Sequence, residues 1–366
     1  MIYLDNAATT KLCKTAIEEL IKYSVDEFFN PSAVYAWENA NKLRQAKQVI
    51  AQKLGVNFDN NIIFTGSATE ANNLAFSAVS DNFVVSEGEH PSIYNKAVAL
   101  KNAGKNVKIV PLAPNGQIDL DKLKQALDSS TKFISVMHVS NETGVINDLK
   151  KIVELKNKIC PNAILHSDGV QAFCKVDTSI VKQLDMYTIS AHKIGGPKGI
   201  GALYCKNKTK LKPIVEGGGQ EYNLRSGTEN LPAIMAFKAT CETRKQNLDY
   251  IQRLKDELVS KLDDRIIQNV DNGQKLSPYV VSLRVAGVNG ETFVNAVAGK
   301  GLYISTGSAC SSKKVGNRVL ASMGKSIDEI KQSIRISFFE TTTLEEIDLA
   351  VEIINKTYAE LTAKLH

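Results

Sequence analysis

Seven short apolar runs recur between residues 62 and 205, at 62–65, 83–86, 107–110, 133–137, 163–166, 186–190 and 201–205. Stretches of helical periodicity, such as about 68–78 and 119–127, separate most of them. Within each run the apolar residues are nearly continuous and do not alternate with polar ones. Strands of that kind need cover on both faces, which intervening helices supply. The pattern therefore predicts an α/β protein built on a mostly parallel sheet. In such sheets ligands collect beyond the carboxyl ends of the strands.

Outside this region the chain changes character. An extended start is followed by a helical pattern from Lys14 to about Tyr23. Asn30, Pro31 and Ser32 then break the chain before a second amphipathic stretch in which Leu43, Ala46, Val49, Ile50 and Leu54 recur at helical spacing up to Gly55. Pro232 opens a long helical pattern, and the boundary between a large and a small domain is expected within that helix, near Gln246. Strand material at 280–283 and 333–338 and a closing helix over about 344–361 predict a smaller α+β domain. The predicted division is 14–245 for the large domain, with 1–13 and 246–366 forming the small one. A chain of 366 residues is long enough to give each a core.

Composition narrows the function classes. The formal charge of +6 is spread over 45 basic and 39 acidic residues, and the densest basic stretch is Lys206, Lys208, Lys210 and Lys212. That run reads as a solvated loop and not as a nucleic-acid tract. No apolar run approaches bilayer length and no leader pattern precedes Met1-Ile-Tyr-Leu-Asp5, so a cytoplasmic protein without a membrane partner is expected. The six cysteines lie far apart without metal-ligand spacing, which suits a reducing compartment and at most one reactive thiol. Gly324, Lys325 and Ser326 imitate the end of a P-loop, but Val319 stands where its first glycine belongs. His166 and Asp168 have no third ligand nearby in sequence, so no metal site is expected.

Several residues carry possible chemistry, each against a plainer reading. Lys193 sits at a strand end beside a glycine-proline turn, flanked by Ser190 and His192. It is either a solvated turn lysine or an amine placed to form a Schiff base with an aldehyde cofactor bearing a phosphate. The stretch 65–73 runs from a strand into a helix start, as a helix cap or as a phosphate cradle to which Thr69 adds a hydroxyl. Asp168 follows a buried strand, where it either caps the next helix or pairs with a pyridine nitrogen. Gln171 is within reach of a ring hydroxyl. His90 is a structural residue or a stacking partner. Arg335, alternating with Ile334 and Ile336, is a solvated arginine or a carboxylate clamp. Cys310 lies in a run of small residues, which suits an uncovered nucleophile acting as its thiolate.

Taken together, the ordered segments Tyr3-Leu-Asp-Asn-Ala-Ala-Thr-Thr10, 30–32, Gly66-Ser-Ala-Thr-Glu-Ala-Asn-Asn73, Glu89-His90, Met137-His-Val-Ser-Asn-Glu-Thr-Gly144, 190–204, 217–221, Arg225-Ser-Gly-Thr-Glu-Asn230 and Gly307-Ser-Ala-Cys-Ser-Ser312 resemble the motifs of the cysteine desulfurases, within the class V aminotransferase group. The resemblance implies a fold type I pyridoxal 5'-phosphate enzyme, similar to aspartate aminotransferase. Lys193 would hold the cofactor aldehyde and shuttle protons, Asp168 would pair with the ring nitrogen, Gln171 would contact the ring hydroxyl and His90 would stack. Ala68, Thr69, Ser190 and His192 would cradle the phosphate, completed by Thr228 of the partner subunit in a homodimer. Asn141 and Arg335, with Asn6 and Ala7, would hold the substrate.

The implied reaction converts L-cysteine to L-alanine and leaves sulfur as a persulfide on Cys310. A sulfur-acceptor or scaffold protein would then collect it for iron–sulfur cluster assembly or thiolation. Ser140 and Phe339 depart from residues usual in the family. Competing readings are another reaction on the same cofactor, such as transamination or selenocysteine cleavage, and a degenerate dimer that only binds a sulfur partner.

Overall fold

The computed structural model describes residues 1–56, 61–270, 273–307 and 317–363. Among the described residues twelve strands occur in chain order: β1 Ile2–Tyr3, β2 Ile62–Thr65, β3 Phe83–Ser86, β4 Val107–Val110, β5 Phe133–Ser135, β6 Ile164–Asp168, β7 Met186–Ser190, β8 Gly201–Cys205, β9 Ile266–Gln268, β10 Val280–Val285, β11 Leu302–Tyr303 and β12 Ser333–Ser337. A sheet of seven strands runs in the order β2, β8, β7, β6, β5, β3, β4. The pairings among β4, β3, β5, β6 and β7 are parallel, while β8 runs antiparallel to both its neighbours. The fold is thus α/β with a mostly parallel mixed sheet. All seven apolar runs fall on its strands.

The continuity of those runs has a direct cause. Ile62, Phe64, Val84, Ile134, Leu165, Tyr187, Ile189 and Ala202 pack into one core cluster. Their sequence neighbours Ile63, Phe83, Val85, Phe133, Ile164, Met186 and Leu203 pack into another on the opposite face. Successive side chains of a strand point to opposite faces, so a sheet covered on both sides needs apolar residues at every position. Strand β5 ends at Ser135, short of the expected 137. Beyond it the Met137 N–H donates to the buried Glu89 carboxylate and the chain leaves the sheet.

A further core joins Leu4, Ile251, Leu254, Tyr279, Leu283, Phe293, Ile336 and Ile354. It is built on the antiparallel sheet β9, β10, β12 and the parallel pair of β1 with β11. The long helical pattern opened near Pro232 is two helices, Leu231–Thr243 and Leu248–Ser260, and not one continuous helix through Gln246. Two interactions impose the break. Arg244 leaves helical geometry and donates to the Cys174 and Ile194 carbonyls and to Glu340, while the Asn247 side chain caps the second helix by accepting from the Tyr250 N–H.

Candidate functional site

A cavity of about 550 Å³ opens at the edge where β6 and β7 end, and Lys193, Asp168, His90, Asn141, Arg335 and Thr69 line it. Sequence reasoning singled out all six, and the topology explains their meeting. Asp168 closes β6, Lys193 follows β7 in a short turn, and Thr69 follows β2. His90 and Asn141 come from the connections after β3 and β5. Ala7, Ala68, Gln171 and His192 line the same space.

Lys193 is held by the segment that follows β1. Its Nζ donates to the carbonyls of Ala7 and Ala8 at 2.7 and 2.6 Å. Thr10 fastens that segment to the lysine's turn, its N–H donating to the His192 carbonyl and its hydroxyl accepting from the Gly195 N–H. Gly195 adopts φ +95°, which a side chain would oppose. Burial, with the Arg335 cation adding to it against Asp5 and Asp168, pushes the Lys193 amine down to about 8. A substantial neutral, nucleophilic fraction is then present near neutral pH.

Asp168 accepts from Asn72 Nδ2 at 2.8 Å through one oxygen and from the Val170 N–H at 3.0 Å through the other. It is therefore both a local cap and a cavity wall. Asn72 Nδ2 also donates to Ser92 Oγ, which lies 2.8 Å from His90 Nδ1. The Ser92 N–H, a donor only, points at the same Nδ1, so the neutral ring carries its proton on Nε2. Burial lowers the His90 pKa, outweighing the attraction of Asp168.

The helix Ala68–Phe76 starts at the cavity, its first turn capped by Ser67, which accepts from the Glu70 N–H. Strand β8 passes close beneath this helix end. A Cβ at Gly201 would lie 2.7 Å from the Ala68 nitrogen, so glycine is required for the approach. His192 contacts the Thr9 hydroxyl through Nδ1 and is driven down to about 3, chiefly by burial and then by Lys193.

Arg335 is buried and not solvated. Its guanidinium donates to Asp5 Oδ1 at 2.8 Å and to the Asn141 carbonyl at 2.9 Å, with Glu142 at 3.7 Å. The strand alternation does turn it away from the apolar face of Ile334 and Ile336, and the face it turns to is the cavity wall. Glu142 in turn accepts from Asn141 Nδ2 and from Asn317 Nδ2, and a Cβ on Gly307 would collide with it. Gly307 and Asn317 flank the segment that carries Cys310, which itself lies outside the described residues.

Three expected site residues sit elsewhere in this chain. Asn6 is buried and donates to the Ser337 carbonyl, fastening the wall and not lining it. Ser190 is buried at the end of β7. Thr228 lines a separate cavity of about 140 Å³ with Gly66 and Arg225. Sequence reasoning did not single out Asp5, Asn72 or Glu142. All three lie inside motifs it did quote, but the contacts that tie them to the site, with Arg335, Asp168 and Asn317, are remote in sequence. His166 is buried between Ser135 Oγ and Thr188 Oγ1. Among the described residues no group of His, Cys, Asp and Glu is arranged to hold a metal ion.

The family described as Aminotransferase class-V matches residues 2–349. The chain is 36% identical to the cysteine desulfurase IscS of Rickettsia felis, over 96% of this chain and 90% of that one. It is likewise 36% identical to the NifS/IcsS protein homolog of Lactobacillus delbrueckii subsp. bulgaricus, over 98% and 97% of the two chains. Among solved structures, a NifS-like protein superposes with a TM-score of 0.89 at 29% identity, covering 99% of both chains. SspA in complex with cysteine gives 0.82 at 28% identity, covering 92% of this chain and 99% of that one. With the lysine, aspartate and histidine gathered at one sheet edge and a family match spanning nearly its whole length, the chain belongs to the class V aminotransferases.

Proposed function

We propose that the protein is a pyridoxal 5'-phosphate-dependent cysteine desulfurase that releases L-alanine and passes sulfur through Cys310. The observation that carries this reading is that Lys193, with its lowered pKa, and Asp168 face one cavity of about 550 Å³ whose wall includes Gly307, three residues before Cys310. The residues present fit the cofactor: an amine for its aldehyde, a carboxylate for its ring nitrogen, an imidazole for its ring face, and a helix N-terminus that Gly201 leaves uncrowded for its phosphate. Ser67, Ala68, Thr69 and His192, which line the cavity, would form that cradle, and Gln171 would reach the ring hydroxyl.

When bound, the cofactor supplies an electron sink for the substrate's Cα. The chain's own residues do the rest. Arg335, with Asn141 beside it, holds the cysteine carboxylate. Lys193, once displaced, removes the proton from Cα as a neutral amine and later returns one. The Cys310 thiolate attacks the substrate sulfur, so that the C–S bond breaks as the S–S bond forms, and protonation of the carbon skeleton completes alanine.

The active unit in this reading is a homodimer. Ile21, Val25, Phe28, Val34, Tyr35 and Trp37 are all more than half exposed, an apolar surface that a second copy would cover. Thr228, outside its own chain's main cavity, would then complete the partner's phosphate cradle. The proposed domains are 14–245 and 1–13 with 246–366; the cluster around Leu4, Ile251 and Ile336 supports the smaller one, while Val270, Val319, Leu320, Met323 and Ile330 pack with the core of the large sheet. No helix among the described residues is long and apolar enough to cross a membrane, and a protein acceptor would collect the sulfur.

The test is mass spectrometry of alanine and of protein persulfide after L-cysteine is added, with Cys310→Ala beside the wild type. Both products, with the persulfide on Cys310 and both lost in the variant, support the desulfurase. A cysteine-dependent change in the cofactor spectrum without either product points to transamination.

A further inference from the structure

Lys175 is a buried amine that this reaction leaves unused. It is 1% exposed, four residues after Gln171. Its Nζ donates to Gln171 Oε1 at 2.9 Å and lies 5.5 Å from the centroid of the Tyr279 ring. The charged groups acting on it are Arg244, Lys193, Arg335 and Glu340. Glu340 makes no ion pair with it: Glu340 Oε1 accepts from Arg244 at 2.7 Å and from the Tyr279 hydroxyl at 2.5 Å, and its buried Oε2 has no hydrogen-bond partner. Burial above all, with the Arg244 and Lys193 cations, holds the amine well below the usual lysine range. Enclosing such a group is costly, and replacing it with an apolar residue of similar shape generally is not.

The bond to Gln171 indicates what it does. Gln171 Nε2 donates to the Ala7 carbonyl at 2.9 Å, and that carbonyl also receives Lys193 Nζ at 2.7 Å. A carbonyl accepts only, so the Ala7 oxygen fixes Gln171 Nε2 as the donor end, and Lys175 Nζ donates to the Oε1 that this leaves on the other side. With Ala7 alone, the side chain keeps freedom to turn about one bond. With both, the nitrogen is committed to the side facing Ala7 and the cavity, where its second N–H is left for an acceptor.

Resting on the cofactor reading above, we infer that Lys175 is a positioning residue that holds Gln171 as a hydrogen-bond donor toward the ring oxygen of pyridoxal phosphate. Lys175 touches neither cofactor nor substrate and acts through the glutamine amide.

The experiment is a pH titration of the visible cofactor band in the wild-type holoenzyme, Lys175→Met, Gln171→Leu and the double variant. Losing a donor to the ring oxygen raises the midpoint of that titration. Lys175→Met is expected to raise it by about half a unit or more, a threefold change in the proton equilibrium. Gln171→Leu should raise it at least as far, and the double variant should match Gln171→Leu alone. An unchanged midpoint in Lys175→Met overturns the inference. A Lys175→Met shift that adds in full on the Gln171→Leu background also overturns it, since the lysine would then act by its charge and not through the amide. Lys175→Leu serves the same comparison should the methionine variant not fold. Absence of any cofactor band in the wild type overturns the cofactor reading and this inference together, an outcome distinct from a band that fails to shift.

Discussion

Arg335 Nη2 and Asp5 Oδ1 meet at 2.8 Å on the cavity wall, joining β12 to the residues just after β1. The carboxylate has two duties there: it neutralises the guanidinium, and it opposes the fall in the Lys193 pKa. Asp5→Asn should therefore move the Lys193 midpoint further below its value of about 8. A change of about half a unit or more is expected for the loss of one charge in a partly buried site. Amine labelling of Lys193 in the cofactor-free protein, followed against pH by mass spectrometry, measures it. A midpoint that stays in place or rises would show that Asp5 does not act on the lysine.

Gly201 predicts a separable defect. Gly201→Ala places a methyl group against the first turn of the helix Ala68–Phe76, at 2.7 Å from the Ala68 nitrogen. Overpacking of this kind costs about 1–3 kcal/mol, and the helix end is what would move. The dissociation constant for pyridoxal phosphate should rise about tenfold or more, equivalent to ~1.4 kcal/mol. Equilibrium titration of the cofactor-free variant decides the matter, and unchanged affinity would mean that this helix end does not carry the phosphate.

Three histidines, His138 and His166 buried and His192 partly so, set the response to acid. Burial drives His138 to about 4 and both His166 and His192 to about 3. In the unfolded chain each titrates near 6.5. Between about 3 and 6.5 the unfolded state thus binds more protons, so stability rises with pH through that window and is lost on acidification. Urea midpoints measured across the window should show the slope, and His166→Asn should reduce it. A flat profile would contradict the neutral buried rings.

The apolar surface formed by exposed residues between Ile21 and Trp37 makes an assembly prediction. Tyr35 and Trp37 are 77% and 64% exposed, and burying them in a dimer would remove both from water. Trp37→Glu with Tyr35→Glu should convert a dimer to a monomer in sedimentation experiments and weaken cofactor retention, because Thr228 would no longer reach the other subunit. A wild type that sediments as a monomer removes the basis for that role of Thr228.

The large sheet was legible in the sequence because its strands are covered on both faces and so read as uninterrupted apolar runs. Their carboxyl ends pointed directly to Lys193, Asp168, Thr69 and His90. The supporting contacts were not legible. Asn72 reaches Asp168 across 96 positions and Arg335 reaches Asp5 across 330, whereas periodicity reports only on residues a few apart. The break before Leu248 was hidden for a related reason. Residues 244–247 carry no glycine or proline to mark it, and what stops the helix is the distant set of acceptors that takes up Arg244.

The placement of residues 2–10 bears on how the protein is made. Strand β1 pairs with β11, the Asp5 side chain waits for Arg335, and the Ala7 N–H bonds to the Ser337 hydroxyl. During synthesis this stretch emerges well before its partners on β11 and β12. The large sheet can form long before they do. A nascent chain therefore passes through a stage in which Lys193 lacks the carbonyls that will hold it. Completion of the cavity is coupled to synthesis of β11 and β12, so that a product terminated before them would fold much of its core without acquiring an ordered reactive amine.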